Sequence, residues 1–207
     1  MHVIGLVGFI GSGKNAVGEI LTQKYGFFTD SFAAPLKDAV ATIFGWSRDL
    51  LEGDTEESRQ FRETKDEFWS QNLDCHFTPR LALQLMGTEA GRNVFGENLW
   101  SASAERRIIQ REQNTVITDV RFPNEIATIR KLGGLVVWVK RGANPDWYDA
   151  ALAYNNSLLK VNKPDAHYSE WAWIGQRIDA IIDNNGTFDD LQMNVASFYN
   201  LLTNTRY

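Results

Sequence analysis

Near the amino terminus, Gly8-Phe9-Ile10-Gly11-Ser12-Gly13-Lys14-Asn15 spells a phosphate-binding loop in all but its last position. No other stretch constrains the fold as tightly, because such a loop works only between a buried strand and the helix that it opens. Both neighbours are present. His2-Val3-Ile4-Gly5-Leu6-Val7 reads as a short buried strand, and Ala16, Val17, Ile20, Leu21 and Tyr25 recur at helical spacing. Glycines are needed there because backbone N–H groups must turn inward around a polyphosphate at the positive end of a helix, with no Cβ in the way. Lys14 then reaches the terminal phosphates. A glycine turn that binds nothing is the plain alternative, and the flanking strand and helix argue against it. Gly8, Gly11, Ser12, Gly13, Lys14, Asn15 and Ala16 are therefore the expected residues of a nucleotide donor site.

Asn15 replaces the Ser or Thr whose hydroxyl usually touches magnesium. An amide oxygen still accepts from a magnesium-bound water, and Mg²⁺ keeps several waters. Nucleotide binding survives the change, with Asn15 expected at the metal through water.

The chain has 207 residues, 43% hydrophobic and 23% charged, which is enough for a sizeable core without disulfides. One domain with an insertion is the expected build. Cys75 is the single cysteine, so no internal bridge forms. The absence of a long apolar run and of a basic-then-apolar leader gives the expectation of a cytoplasmic, reducing location without a membrane. A formal net charge of -5 argues against a nucleic-acid partner, whose footprint is a basic face. His2, His76 and His167 lie far apart, without the spacing of a structural zinc site.

Apolar runs alternate with helical patterns, the signature of an α/β fold with a parallel sheet covered on both faces. Five strands are expected, at 2–7, 27–32, 115–120, 135–140 and 178–183. Residues 35–111 contain no convincing strand. Pro35 opens a helix carrying Leu36, Val40, Ile43 and Phe44, residues 48–72 are densely charged, and 79–96 is a second helical stretch ending near Gly96. This reads as a helical insertion, and 142–167, with its Pro, Gly and Asn, as a mobile lid loop.

A second cluster is Val116-Ile117-Thr118-Asp119-Val120-Arg121-Phe122-Pro123-Asn124-Glu125. A strand that ends in Asp, with Arg two residues on and Glu in a helix opened by Pro123, puts both acids and the guanidinium at the carboxyl edge of a parallel sheet. Ligands bind at that edge. Asp119 is expected to hold magnesium through water, Arg121 to grip an acceptor phosphate in a two-pronged contact, and Glu125 to join them as a catalytic group. The plainer alternative is that the acids cap a helix while Arg121 pairs with one of them.

With both clusters in view, the chain resembles the phage deoxynucleoside monophosphate kinases of the P-loop kinase superfamily. The resemblance runs in order through Gly8 to Lys14, Phe32-Ala33-Ala34-Pro35-Leu36-Lys37-Asp38, Arg80 to Glu89 with Leu85-Met86-Gly87-Thr88, Trp100, Asp119-x-Arg121-x-x-x-Glu125, His167-x-x-Glu170 and Asp183-Asn184-Asn185-Gly186. It implies a three-layer P-loop kinase fold with a helical acceptor-binding insertion, and the ATP-dependent conversion of deoxynucleoside monophosphates to diphosphates with Mg²⁺. It also implies a homodimer, placed in the host cytoplasm if the chain is phage-encoded. The acceptor is already an anionic phosphate oxygen, so alignment and charge neutralisation matter more than a strong base. In keeping with that, Lys37, Arg80, Arg92 and Arg121 all fall in or beside the matching segments, with Gln84 and Thr88 near Arg80 on one helix face. Trp100 is a candidate for stacking on the acceptor base or, more plainly, a core residue. Arg141 is a candidate lid residue, and Asn185 lies in a segment that resembles the turn touching adenine.

Three other readings compete with this one. Dephospho-coenzyme A kinase shares the opening glycine pattern, but the Lys37-Asp38 and Leu85-to-Thr88 segments favour the deoxynucleotide kinases. Asn162-Lys163-Pro164-Asp165 spells a guanine-recognition tetrapeptide, yet the only Asp-x-x-Gly suited to sensing a γ-phosphate, Asp183 to Gly186, follows it instead of preceding it. A non-catalytic ATP-binding module would not need a second arginine-rich phosphate site.

Overall fold

The computed structural model describes residues 1–157 and 163–204. The guanine-like tetrapeptide begins at Asn162, outside the described residues. These fall into two compact units: Met1–Phe32 with Ala104–Tyr207, and Ala33–Ser103.

The first unit is built on five parallel strands: β1 (Val3–Val7), β2 (Phe28–Asp30), β3 (Thr115–Ile117), β4 (Leu135–Lys140) and β5 (Ala180–Asp183), in the order β2-β3-β1-β4-β5. β1 sits in the centre, pairing Gly5 with Ile117 of β3 and with Val136 of β4. All five of its residues are buried, as expected for a strand covered on both faces. Successive side chains alternate between two cores. Val3 and Val7 join Val136, Trp138, Ile117 and Ile129 on one face, while Ile4 and Leu6 join Val137, Val139, Val17 and Leu21 on the other. The second face is covered by α1 (Lys14–Tyr25) and α11 (Phe188–Asn204), the first by α8 (Pro123–Lys131), α9 (Tyr148–Asn156), α10 (Tyr168–Trp171) and the later part of α7 (Leu99–Arg111). These are the three layers of the expected fold.

The second unit holds α2 (Ala34–Phe44), α3 (Glu56–Glu63), α4 (Glu67–Asn72), α5 (Pro79–Gly87), α6 (Asn93–Phe95) and the start of α7. Its core is Val40, Leu51, Phe77, Ala82 and Leu83, with Phe44, Trp46 and Trp69 packed around it. Thr55 caps α3 by accepting from Ser58 N–H, and Thr78 caps α5 ahead of Pro79. None of the described helices is long and apolar enough to cross a membrane.

Three details differ from the sequence reading. The helical unit ends at Ser103 and not at 111, because Ala104 and Ile108 of α7 are buried in the sheet unit. Residues 79–96 do not form one helix: α5 stops at Gly87, a wide π-type turn spans Thr88–Arg92, and Gly96 ends α6. The turn closes on Gly91, where a Cβ would lie 2.7 Å from the Met86 carbonyl oxygen and 2.8 Å from the Trp100 ring. The 142–167 segment is not all loop, since it contains α9. Ala151 there is fully buried, and Trp147, Tyr148 and Leu152 pack on the same core, so apolar burial overrides the loop-like composition. Residues 158–162 of that segment lie outside the described residues.

Candidate active site

β1 and β3 are hydrogen-bonded neighbours, so the loops leaving their carboxyl ends meet. Sheet topology therefore brings residues 8–15 and 119–125 together although a hundred positions separate them.

The glycine loop is fixed by backbone geometry. Gly8 has φ 148° and Gly13 φ 97°, values that L side chains rarely adopt. A Cβ on Gly8 would lie 2.5 Å from the Val139 carbonyl oxygen, and one on Gly13 would lie 2.3 Å from Asn184 Nδ2. The same Asn184 amide donates to the Ser12 carbonyl at 2.8 Å. Phe9 anchors the loop from below with Trp147 (5.5 Å between ring centroids) and Trp173 (5.4 Å). Inside the cradle, Ser12 is 4% exposed and its buried hydroxyl has no hydrogen-bond partner among the described residues. Buried polar groups are ordinarily satisfied, so an orphaned hydroxyl in a glycine loop that opens a helix fits a phosphate ligand.

Lys14 donates to the carbonyls of Gly8 (2.7 Å) and Phe9 (3.0 Å). Burial, and then the charge of Arg121, push its ammonium down to about 8, while Glu170 and Asp119 act the other way. Four charged groups thus share one neighbourhood: Lys14, Arg121, Asp119 and Glu170. Asp119 is half-buried, and its Oδ1 accepts from Phe32 N–H at 2.9 Å. Arg121 is exposed and donates from Nη1 to Glu170 Oε1 at 3.1 Å and to Ser169 Oγ at 3.3 Å.

Glu125 is 5% exposed, and Oε2 accepts from the N–H groups of Arg121 (2.7 Å) and Phe122 (3.0 Å). It shapes the loop and opens α8, the capping role that the plainer reading of the sequence gave it. The guanidinium of Arg121 forms an ion pair with Glu170, which comes from α10.

Asn15 is exposed at the start of α1, and Ala16 packs partly into the core beneath it. No group of three or more carboxylate, imidazole or thiolate donors occurs among the described residues. Magnesium in phosphoryl-transfer sites is held by one or two carboxylates together with waters and phosphates, a role that Asp119 and Asn15 fit. Beyond β4 and β5, Arg141 is exposed. Asn185 accepts from Gly142 N–H at 2.6 Å and bonds back to Asp183 at 2.6 Å, tying the two strand ends together.

In the second unit, Lys37 forms an ion pair with Glu52, and Arg48 bridges Glu52 and Asp38. Burial pushes the Glu52 carboxyl up, but Lys37 and then Arg48 outweigh it and hold it below its usual range. Arg80 pairs with Glu63, and Gln84 is exposed one turn further along α5. Thr88 opens the wide turn and Arg92 closes it. Trp100 donates from its indole to the Gly87 carbonyl at 2.9 Å and lies against Gly91, so it braces that turn.

Three contributors escaped sequence reasoning. Asn184 buttresses the glycine loop, Glu170 engages Arg121, and Phe9 plugs the loop into an aromatic cluster. All three lay in quoted segments, with no local signal of the partners that the sheet would bring to them.

The deoxynucleotide monophosphate kinase family model matches residues 52–195. A protein of Acanthamoeba polyphaga mimivirus, named as a deoxynucleotide monophosphate kinase, is 34% identical over 157 residues, 68% of this chain and 75% of that one. The deoxynucleoside-5′-monophosphate kinase of Escherichia phage T5 is 25% identical over 188 residues, 64% of this chain and 73% of that one. Among solved structures, dephospho-CoA kinase from Campylobacter jejuni aligns with a TM-score of 0.47 and 15% identity, covering 97% of both chains. With a family match over most of its length and a relative of that identity and coverage, the chain belongs to the deoxynucleotide monophosphate kinase family.

Proposed function

We propose that the protein transfers the terminal phosphoryl group of ATP to the phosphate of a deoxynucleoside monophosphate, giving the diphosphate. The observation that carries this reading is the meeting of Lys14, Arg121 and Asp119 at the ends of two adjacent strands, around a glycine cradle with an unpartnered buried hydroxyl, in a member of a kinase family. An acceptor phosphate oxygen attacks phosphorus while the bond to the leaving diphosphate breaks. Neither oxygen needs a strong base, so the site's work is alignment and charge neutralisation. Lys14 and Arg121 supply positive charge, the loop N–H groups and Ser12 fix the donor, and Asp119 with Asn15 would hold magnesium through water. Magnesium, when bound, neutralises charge on the phosphates. Lys37, Arg80, Gln84, Thr88, Arg92 and Trp100 are the proposed acceptor-binding groups, and Arg141 and Asn185 the proposed nucleotide contacts beyond the strand ends. A dimer, implied by the resemblance alone, is a further proposal for light scattering to check.

A coupled assay of ADP release across all deoxy- and ribonucleoside monophosphates, with dephospho-coenzyme A included, tests the reading. Turnover of at least one deoxynucleoside monophosphate is expected. Turnover of dephospho-coenzyme A alone, or ATP binding without turnover of any acceptor, would overturn it.

A further inference from the structure

The segment His167-Tyr168-Ser169-Glu170 is a rigid base with a charged tip. The His167 ring accepts from Ser169 N–H at 3.3 Å and meets the Ser169 hydroxyl at 2.8 Å. Trp171 is fully buried and donates its indole N–H to the Ala166 carbonyl at 3.0 Å. The Glu170 carbonyl itself accepts from the Trp173 indole at 3.1 Å, and Asn155 donates to the carbonyls of Trp171 and Ile174. The Glu170 carboxylate extends from this frame to Arg121 Nη1, which also reaches the Ser169 hydroxyl.

An exposed ion pair would ordinarily be worth little. This one differs in two ways. The Glu170 side chain is only 22% exposed, and its partner belongs to the group around Lys14. Arg121 extends from a short loop, is 47% exposed, and uses one nitrogen for Glu170 and Ser169. Its Nη2 and Nε make no hydrogen bond among the described residues, so a flexible side chain is held at one end with donors to spare. Glu170 also favours the charged form of Lys14, against the effect of Arg121 on it.

We infer that Glu170, assisted by Ser169, is a positioning residue that fixes the Arg121 guanidinium beside Lys14 and leaves its other N–H groups for phosphate. The inference rests on the proposed phosphoryl transfer for its kinetic consequences and on geometry alone for its binding consequences. Glu170 does not touch the reacting atoms; it acts through Arg121.

The test is a double-mutant cycle over wild type, Glu170→Ala, Arg121→Ala and the double variant, with Glu170→Gln and Ser169→Ala alongside. Thermal midpoints establish that each variant folds, and Glu170→Gln, which keeps an acceptor oxygen, serves if Glu170→Ala does not. In wild-type background, Glu170→Ala should lower kcat by about tenfold and weaken tripolyphosphate binding several-fold, since a guanidinium that is no longer held loses both its alignment and a phosphate contact. Glu170→Gln should recover most of that loss. In the Arg121→Ala background, removing the carboxylate should cost almost nothing further. The same cycle read on the Kd of inorganic tripolyphosphate by calorimetry decides the inference even if no deoxynucleotide is turned over, so the two readings fail separately. Equal losses in both backgrounds, in turnover or in tripolyphosphate affinity, would show that Glu170 acts independently of Arg121 and would overturn the assignment.

Discussion

Lys14 concentrates the chemistry of the site in one ammonium group held at about 8 by burial and by Arg121. Between that value and its ordinary 10.5 the unfolded chain binds more protons than the folded one, so this group makes stability rise with pH across the window. Polyphosphate binding has the opposite pH dependence. An anion at Lys14 restores its proton, so affinity should fall as pH rises past about 8, and binding near pH 8.5 should take up protons. Calorimetric titration of ATP in buffers of different ionisation enthalpy checks this, and Lys14→Met should abolish the uptake. Lys14→Ala should cut turnover by about 10³-fold while leaving the fold intact. Asp119 is the second residue of consequence, because its carboxylate holds Phe32 N–H as well as lying near Lys14. Asp119→Asn keeps an acceptor for Phe32 but removes the charge, and should raise the magnesium requirement sharply, whereas Asn15→Ala should raise it mildly. The reverse order in a magnesium titration of activity would make Asn15 the main metal contact.

At the scale of elements, the loop between β3 and α8 shows how much of the site was legible. A strand just ahead of Asp119, the Arg two residues on and the Pro-opened helix were readable, because each depends on local periodicity and helix-start chemistry, although β3 stops at Ile117 and not at 120. What Glu125 does was not, since the same pattern serves catalysis or capping. Its two backbone acceptor contacts give it a capping role. Glu125→Ala should therefore lower stability by about 1 kcal/mol, the cost of losing a helix cap over two part-buried N–H groups, which denaturant unfolding measures. α9 was missed for a different reason: the Asn and Pro of its flanks resemble a loop, while Trp147, Tyr148 and Ala151 gain burial only once β4 and α10 are in place. Glu170 and Asn184 illustrate the general limit. Pairings over separations of 49 and 172 residues are set by strand order, and no local pattern carries that information.

Across the whole molecule, the carboxyl end of β2 carries a buried charge cluster. Asp30 is 6% exposed and accepts from Arg107 (2.8 Å), Arg111 (3.0 Å) and its neighbour Ser31 N–H (2.7 Å). Arg107 also donates to the Ser31 carbonyl at 2.9 Å. Burial pushes the Asp30 carboxyl up, but Arg107 and then Arg111 outweigh it and hold it below its ordinary value. Its contribution is therefore present above about pH 4 and lost as pH falls through the lower folded value. Asp30→Ala, which strands two arginines, should destabilise the sheet unit by about 3 kcal/mol, and that deficit should shrink in acid-unfolding experiments at the lowest pH. The position of this cluster has a wider consequence. The chain leaves the sheet unit after Phe32 and returns to it at Ala104, three residues before Arg107, so one guanidinium, bonded to Ser31, staples departure to return. A stapled departure and return is what makes a segment exchangeable. The helical unit of residues 33–103 is thus an insert whose two ends are held a few residues apart by the sheet unit itself, so its helices can be lengthened or shortened without moving the strand end that carries Asp30.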